Sequence, residues 1–236
     1  MTQRSILAGT KPDVIIKTGV SVTVKGHDSD LVRVEGRSGL KVEKHSKAEV
    51  ARARAAIGEH VLFDVHLKKP NLKGQEKDKA VIEVQIGGSG EVLVPFDSNV
   101  KVYAGRDINV LNIKGQVDAY AGFKLNLQDV HCLGNASAGW TMDIDCQTMA
   151  GSDVTFSTGS DLRFHIADLT SVRLRVKDLG GYWEARIGDG GKSVYLKSGG
   201  DVTFVTDQKV EPQPPDYILG RIEKPFAAVH DIDPNS

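Results

Sequence analysis

The chain has 236 residues, of which 40% are hydrophobic and 26% charged, a balance typical of a soluble, folded protein. Its formal net charge of −1 excludes a chain-wide electrostatic field of the kind that recruits nucleic acid or anionic lipid. Apolar runs such as Val14–Ile16 are far shorter than the roughly 20 residues that a membrane-spanning helix needs. Because no signal peptide precedes them, we expect a cytoplasmic location, with cell-surface association left open.

The charge is unevenly distributed along the chain. Residues 33–79 contain 12 Lys/Arg against 7 Asp/Glu, a net of +5, whereas residues 201–236 contain 3 against 7, a net of −4. The simplest interpretation is two solvated surfaces, and the alternative is two complementary ends that meet head to tail. With one long repeat between them, we expect one elongated domain over 12–210, preceded by an N-terminal arm, 1–11.

A glycine repeat is the strongest pattern in the chain. The glycines stand 17, 17, 20, 21 and 19 residues apart at Gly105, Gly122, Gly139, Gly159, Gly180 and Gly199. Around most of them runs the frame apolar-x-apolar-x-x-Gly-x-x-apolar-x-apolar, as in Val117 and Ala119 before Gly122 and Leu125 and Leu127 after it. Two short strands around a glycine corner, repeated and stacked, predict an all-β fold of the β-solenoid type.

The frame first appears with Val14 and Ile16 before Gly19, and a strand follows at 31–34. The period then breaks at Ser46, where Ser-Lys-Ala-Glu is a capping-box pattern that leads into an alanine-rich segment. We therefore predict one short inserted helix over 46–57.

Beyond that segment, residues 60–67 alternate as a strand and 68–79 form a polar loop, after which 80–86 pairs back as a strand. The strand Glu91–Pro95 is predicted to lie at a sheet edge, because proline donates no backbone hydrogen bond. The repeat then continues to Thr206, with a departure at Gly134 and a second departure, interpreted as a bulge, before Gly180. Residues 211–236 are predicted to form a proline-rich cap over the last coil, followed by a flexible acidic tail.

A family resemblance accompanies these strands. Val20–Val24, Glu91–Val102 and Gly-Asp-Val repeats such as Gly200–Phe204 resemble the Toastrack, or "putative adhesin", β-strand-repeat domains of bacteria. The resemblance covers roughly 12–208 and implies a solenoid that mediates assembly or interaction, often tethered to membrane modules. It implies no catalytic residue, and this chain departs from the family's usual setting because its sequence contains no membrane segment.

Three motifs are candidates for metal or cofactor sites. The run Gly188–Ser193 resembles a phosphate-binding loop, but Arg186 stands where that motif needs glycine and a strand follows, so a turn is predicted. Carboxylates two residues apart could approach Ca²⁺, yet tandem calcium repeats are absent; these pairs are Asp28/Asp30, Asp143/Asp145 and Asp231/Asp233. None of the seven histidines has HxH or HExxH spacing. We therefore predict no catalytic residue, no cofactor and no metal ion.

The cysteines and aromatic residues leave alternatives open. Cys132 and Cys146 are predicted to be free thiols, and no oriented histidine base accompanies them. Phe123, Trp140 and Trp183 follow repeat glycines, which favours stacking between successive coils, although such aromatic residues also form sugar-binding faces.

Aligning the chain on the glycines gives two polar columns. The second position after each glycine holds Asp107, Lys124, Thr141, Asp161, Tyr182 and Asp201, and the fourth holds Asn109, Asn126, Asp143, Arg163, Glu184 and Thr203. The fourth column mixes polar residues of both signs without forming a convincing catalytic site. We therefore predict a non-enzymatic, self-associating β-solenoid scaffold that partners with itself or another protein. The alternative is a carbohydrate-binding or carbohydrate-active β-helix protein.

Overall fold

The computed structural model describes residues 1–9, 11–46, 80–150, 153–166, 171–178, 181–188, 192–206 and 211–213. These residues form one open sheet of 18 strands and contain no helix, so the predicted all-β class is confirmed. In chain order the strands are β1 (Thr2–Leu7), β2 (Asp13–Thr18), β3 (Val22–His27), β4 (Leu31–Gly36), β5 (Lys41–Ser46), β6 (Ala80–Ile86), β7 (Gly90–Pro95), β8 (Asn99–Ala104), β9 (Ile108–Ala121), β10 (Leu125–Ala138), β11 (Met142–Met149), β12 (Asp153–Thr158), β13 (Leu162–Ile166), β14 (Ser171–Asp178), β15 (Gly181–Gly188), β16 (Lys192–Ser198), β17 (Val202–Thr206) and β18 (Glu211–Gln213).

The strands pair in two ladders that share β9 and β10. Ladder A contains, in spatial order, β5, β6, β2, β8, residues 117–121 of β9, residues 133–138 of β10, β12, β16, β14, β15 and β18. Ladder B contains β1, β4, β7, β3, residues 108–113 of β9, residues 125–130 of β10, β11, β13 and β17. Pairing is parallel from β6 to β14 in ladder A and from β7 to β17 in ladder B.

The repeat glycines lie directly on one another where the chain passes from ladder A to ladder B. The backbone N–H of Gly122 donates to the Ala104 carbonyl at 2.9 Å, and that of Phe123 donates to the Arg106 carbonyl at 2.8 Å. A Cβ atom on Gly122 would lie 2.1 Å from the carbonyl oxygen of Gly105, which leaves no room for a side chain. The same close approach repeats along the column Gly19, Gly105, Gly122, Gly139, Gly159 and Gly199.

The core consists of the alternate side chains that face inward from each strand. It is almost wholly aliphatic, as expected from the two apolar positions on each side of the glycine corner. Towards the C-terminal coils the core becomes aromatic: the Phe164 ring centroid lies 5.2 Å from that of Phe156 and 5.7 Å from that of Phe204. Burial of such side chains, at about 1.5–3 kcal/mol each, is the main stabilising contribution.

At both ends of the ladders, spatial order departs from chain order. The pair of strands β2 and β3 lies between β6/β7 and β8/β9, although the chain continues from β3 through β4 and β5 and then through residues 47–79, which lie outside the described residues, before β6 begins. At the other end, β16 and β17 lie on β12 and β13, and β14 follows β16. Antiparallel partners terminate both ladders at one end, with β5, β4 and β1, and ladder A at the other, with β15 and β18, whereas ladder B ends there at β17, which is parallel to β13.

Two local predictions are wrong. Strand β7 is not an edge strand, because it pairs with β3 on one side and β4 on the other; its last pair with β4 is Leu93 with Arg33, so Pro95 lies beyond that pairing. The region before Gly180 is not a bulged coil, because β14 and β15 pair antiparallel with Asp178 opposite Gly181.

The residue predicted to begin the helix over 46–57 belongs to a strand. Ser46, the expected N-cap, is the last residue of β5 and pairs with Ala80 of β6, which extends the antiparallel ladder through it. Residues 47–57, the strand predicted at 60–67 and the loop at 68–79 lie outside the described residues, as does most of the cap predicted at 211–236. Residues 2–7 of the predicted arm form β1.

Candidate functional site

Two aromatic side chains lie exposed beside the glycine column. Phe123 and Trp140 each follow a repeat glycine directly and are 38% and 50% exposed. Their rings stack with centroids 6.1 Å apart and planes 14° from parallel. Phe123 and Trp140 therefore stack between successive coils as predicted, but the prediction that this stacking is internal is wrong, and the side chain of Trp183 lies outside the described residues.

The column that holds these rings is built by backbone hydrogen bonds between coils. Each N–H donates to the carbonyl at the equivalent position of a neighbouring coil, along Val20, Arg106, Phe123, Trp140, Ser160 and Gly200. Phe123 covers one side of the Trp140 ring, whereas the next two positions on the other side are Ser160 and Gly200. Because both are small, the column leaves space beside the indole.

A polar groove of about 520 Å³ begins next to these rings. Lys124 connects the two features, since its Nζ lies 5.6 Å from the Phe123 ring centroid and the residue also lines the groove. The other residues that line the groove are Asp107, Asn109, Leu125, Asn126, Thr141, Met142, Asp143, Asp161 and Arg163.

Two rows of side chains form the groove, one from each polar column of the glycine alignment. The row at the second position runs through Asp107, Lys124, Thr141, Asp161 and Asp201, and the row at the fourth position runs through Asn109, Asn126, Asp143, Arg163 and Thr203. Tyr182 and Glu184 do not join these rows. They lie on β15, where Glu184 pairs instead with Arg175, 3.2 Å from Nε to Oε1.

Most of the polar side chains in the groove have no hydrogen-bond or ion-pair partner among the described residues. Six of them make no hydrogen bond or ion pair with a described residue: Asn109, Lys124, Asn126, Thr141, Asp143 and Arg163. Asp107 accepts a hydrogen bond from Ser21 Oγ at 3.1 Å through Oδ2, while its buried Oδ1 is unpaired. Asp161 accepts one from the Asp201 N–H at 3.2 Å. The groove thus offers a mixed set of free donors and acceptors.

A second stacked pair lies on the outer face of ladder A. The rings of Tyr103 and Tyr120 are 5.0 Å apart, and Lys101 Nζ lies 5.7 and 5.8 Å from their centroids. Burial alone would lower the pKa of Lys101, but its hydrogen bond and charge interaction with Tyr103 raise it overall. This pair differs from Phe123 and Trp140 because a lysine already packs on both of its rings.

Glu43, His45 and Glu83 form a cluster whose nitrogen and oxygen atoms lie within 4.8 Å of one another. Lys17 Nζ contacts Glu83 at 2.8 Å and Lys41 Nζ contacts Glu43 at 3.0 Å, so two ammonium groups already neutralise the carboxylates. Burial would raise the pKa of Glu83, but the hydrogen bond and charge of Lys17 outweigh it and lower that pKa. The sequence analysis did not predict this cluster, because Glu83 is distant in sequence from Glu43 and His45 and lies beside them only when β5 pairs with β6.

The other candidate residues from the sequence analysis do not lie together in one site among the described residues. Cys132 is half-buried and Cys146 buried, both are free, and burial raises the pKa of each thiol. Asp145 Oδ1 and His165 Nδ1 are hydrogen-bonded at 2.9 Å, whereas Asp143 lines the groove. The strand expected after the glycine-rich run is present as β16, while residues 189–191, His60, His66, His230 and the pair Asp231/Asp233 lie outside the described residues.

Comparison with known proteins leaves the chain unassigned. No protein-family model matches it, and no curated protein matches it either. One solved structure that it resembles is described as a "putative cell adhesion protein" from Clostridium sporogenes ATCC 15579, with 9% sequence identity and a TM-score of 0.39, over 87% of this chain and 99% of that one. At this distance the likeness carries no argument about function.

Among the described residues, none belongs to a helix of the length and hydropathy required to cross a lipid bilayer.

Proposed function

We propose that this chain is a β-solenoid interaction module that has no catalytic activity and associates with further copies of itself. The proposed solenoid extends over 12–210 as one domain. Its support is the parallel register of the two ladders, in which each coil contributes one strand to each ladder and one glycine to a common column. Such stacking grows by addition of coils and exposes a strand edge at each end.

The proposal of a non-enzymatic role rests on the distribution of ionisable groups. Among the described residues, Glu184 is the one Asp or Glu that is buried as a whole, and Arg175 and Tyr182 contact it, while Asp107 has one buried oxygen and bonds Ser21 through the other. The groove lining contains neither histidine nor cysteine, and the cluster at Glu43 is neutralised by lysines. An arrangement with a nucleophile, an oriented base and a shielded pocket is what catalysis of group transfer would need.

The resemblance to Toastrack domains is compatible with this proposal. Val20–Val24 leads into β3 and Glu91–Val102 covers most of β7 and β8; β3 pairs directly with β7, so the segments that carry the resemblance lie together in the structure. No family model matches the chain, so its membership of the Toastrack family is a proposal that rests on these segments.

Strand β1 is the proposed site of self-association. It pairs with β4 along one edge, while its other edge has no strand partner in the described part of the chain. Most of its side chains are exposed, including Leu7, at 63%. The free N–H and C=O groups of such an edge are available to pair with a strand of a second copy.

Light scattering after size-exclusion chromatography, over a series of protein concentrations, tests this proposal. We expect oligomers whose mass rises with concentration in the native protein. The double substitution Ser5→Lys and Leu7→Lys should give monomers, because lysines on an edge strand oppose strand addition. The matched control carries lysines at exposed central positions, Gln116→Lys and Thr155→Lys, and should associate like the native chain. A native protein that stays monomeric at the highest concentration would contradict the proposal.

A further inference from the structure

The exposed rings and the polar groove together form a surface that the self-association proposal does not use. Phe123 and Trp140 lie at the corner of two successive coils, and Lys124 joins them to the groove. Exposed aromatic side chains beside unpaired polar groups are typical of ligand-binding surfaces, because an interior role would bury the rings and pair the polar atoms.

The chemistry of the groove favours a neutral ligand rich in hydroxyl groups. Its lining contains three carboxylates, from Asp107, Asp143 and Asp161, against two cations, from Lys124 and Arg163. This balance disfavours nucleic acid and phosphate, which need an excess of positive charge. Amide, hydroxyl and charged groups together can donate to and accept from the hydroxyls of a sugar.

The geometry also fits the shape of a sugar chain. One side of the Trp140 ring lies against Phe123, and the small residues Ser160 and Gly200 follow on the other side. A pyranose ring has an apolar C–H face that packs on an aromatic ring, and its hydroxyls project from the rim towards polar neighbours. Successive coils are about 4.8 Å apart, so an extended oligosaccharide that follows the rows would contact the side chain at the equivalent position of each coil.

We propose that this surface binds a neutral oligosaccharide. Trp140 stacks on one sugar ring and Phe123 supports the indole from behind. Asn126, Thr141 and Arg163 lie on the coils around these rings and hydrogen-bond the hydroxyls of neighbouring units. The surface binds without cleaving its ligand, because the exposed Asp143 carboxylate lies in solvent rather than in a site shielded from water.

Titration calorimetry against neutral hexasaccharides tests the proposal, with cellohexaose, laminarihexaose, mannohexaose and N-acetylchitohexaose as probes and heparin as the anionic comparison. We expect at least one neutral probe to bind the native protein, with no release of shorter sugars. Trp140→Ala should weaken that binding about tenfold, in line with the loss of one aromatic stacking contact. Arg163→Ala, an exposed change that leaves the core intact, should weaken it by a smaller factor.

The matched control is Tyr103→Ala, which breaks the other stacked pair and should leave the affinity unchanged. Trp140→Phe keeps an aromatic face and should retain most of the affinity, which separates loss of stacking from loss of folding. Failure of every neutral probe to bind, binding of heparin alone, cleavage of a probe, or equal affinity of Trp140→Ala and native protein would each overturn the proposal.

This inference is independent of self-association. The edge variant Ser5→Lys with Leu7→Lys should bind the same oligosaccharide as the native chain, since β1 lies on the far side of several coils from Trp140. Loss of assembly with intact sugar binding, or the reverse, therefore identifies which of the two proposals has failed.

Discussion

The central coils and the two ends of the molecule are built from the same kinds of residue but by different rules. From β8 to β13 each coil pairs with the coil that follows it in the chain, always in parallel. At the ends, spatial order departs from chain order, and antiparallel strands close both ladders at the N-terminal end and ladder A at the other. The difference shows that a repeating frame determines how coils stack, whereas the way a stack terminates depends on contacts between distant segments.

The central coils also carry the exposed groove, whereas the N-terminal end carries ion pairs. Asn126 and five other polar residues of the groove make no hydrogen bond or ion pair with a described residue, but at the end Lys17 and Lys25 pair across strands with Glu83 and Glu91. Pairs of this type on strands that meet 66 residues apart help to fix which strands become neighbours.

The largest expected effect is in the aromatic part of the core. Phe164 is fully buried between the rings of Phe156 and Phe204, so Phe164→Ala should lower the free energy of unfolding by about 3–5 kcal/mol. Phe204 lies on β17 at the end of ladder B and is only partly buried, so Phe204→Ala should cost clearly less. Urea denaturation measures both values, and equal costs would remove the distinction between centre and end.

The glycine column provides a sharper comparison at a single atom. Gly122→Ala places a Cβ 2.1 Å from the Gly105 carbonyl oxygen, so neighbouring coils must separate, and we expect a loss of about 2–4 kcal/mol. Gly19 begins the same column, and a Cβ there meets nothing within 4 Å, so Gly19→Ala should be nearly neutral. Chemical denaturation of the two variants checks this, and similar stabilities would mean that the coils adjust without cost.

The smallest expected effect concerns the ion pair at the N-terminal end. Burial alone would raise the pKa of Glu83, but the hydrogen bond and charge of Lys17 hold it below the ordinary value of a glutamate, so the folded state binds a proton there less readily than the unfolded chain. The resulting stabilisation is fully present above the ordinary glutamate pKa and is lost as the pH falls through the lowered pKa of the folded state. Its size is at most about 1 kcal/mol, as for other partly exposed pairs.

Stability measured against pH for the native protein and Glu83→Gln tests this expectation. The variant should lose part of the decrease in stability that the native protein shows in acid. At low pH, where Glu83 is protonated, the two proteins should have similar stabilities. Glu91→Gln is the matched control, since Glu91 forms the equivalent pair with Lys25 but is more exposed. Identical pH profiles for native protein and Glu83→Gln would show that the pair contributes nothing measurable.

Much of the central region could be predicted from the sequence. The corner glycines, the inward-facing pairs such as Leu125 and Leu127, and the two polar columns all follow from strict alternation around a fixed point. Prediction failed at Tyr182 and Glu184, because β15 pairs antiparallel with β14 instead of adding a parallel strand to the stack. It also failed for Pro95, because the pairing of β7 with β4 stops at Leu93, before the proline.

The amino-acid sequence by itself determined the class of fold, the corner positions and the alternation of buried and exposed side chains, because these depend on residues within a few positions of one another. Only the tertiary structure decided that β2 and β3 lie between β6/β7 and β8/β9, that β14 follows β16, and that Phe123 and Trp140 stack on the surface beside a groove. Those features arise from pairing between distant strands, and similar aliphatic strands could pair locally in several ways before the whole set of contacts selects one.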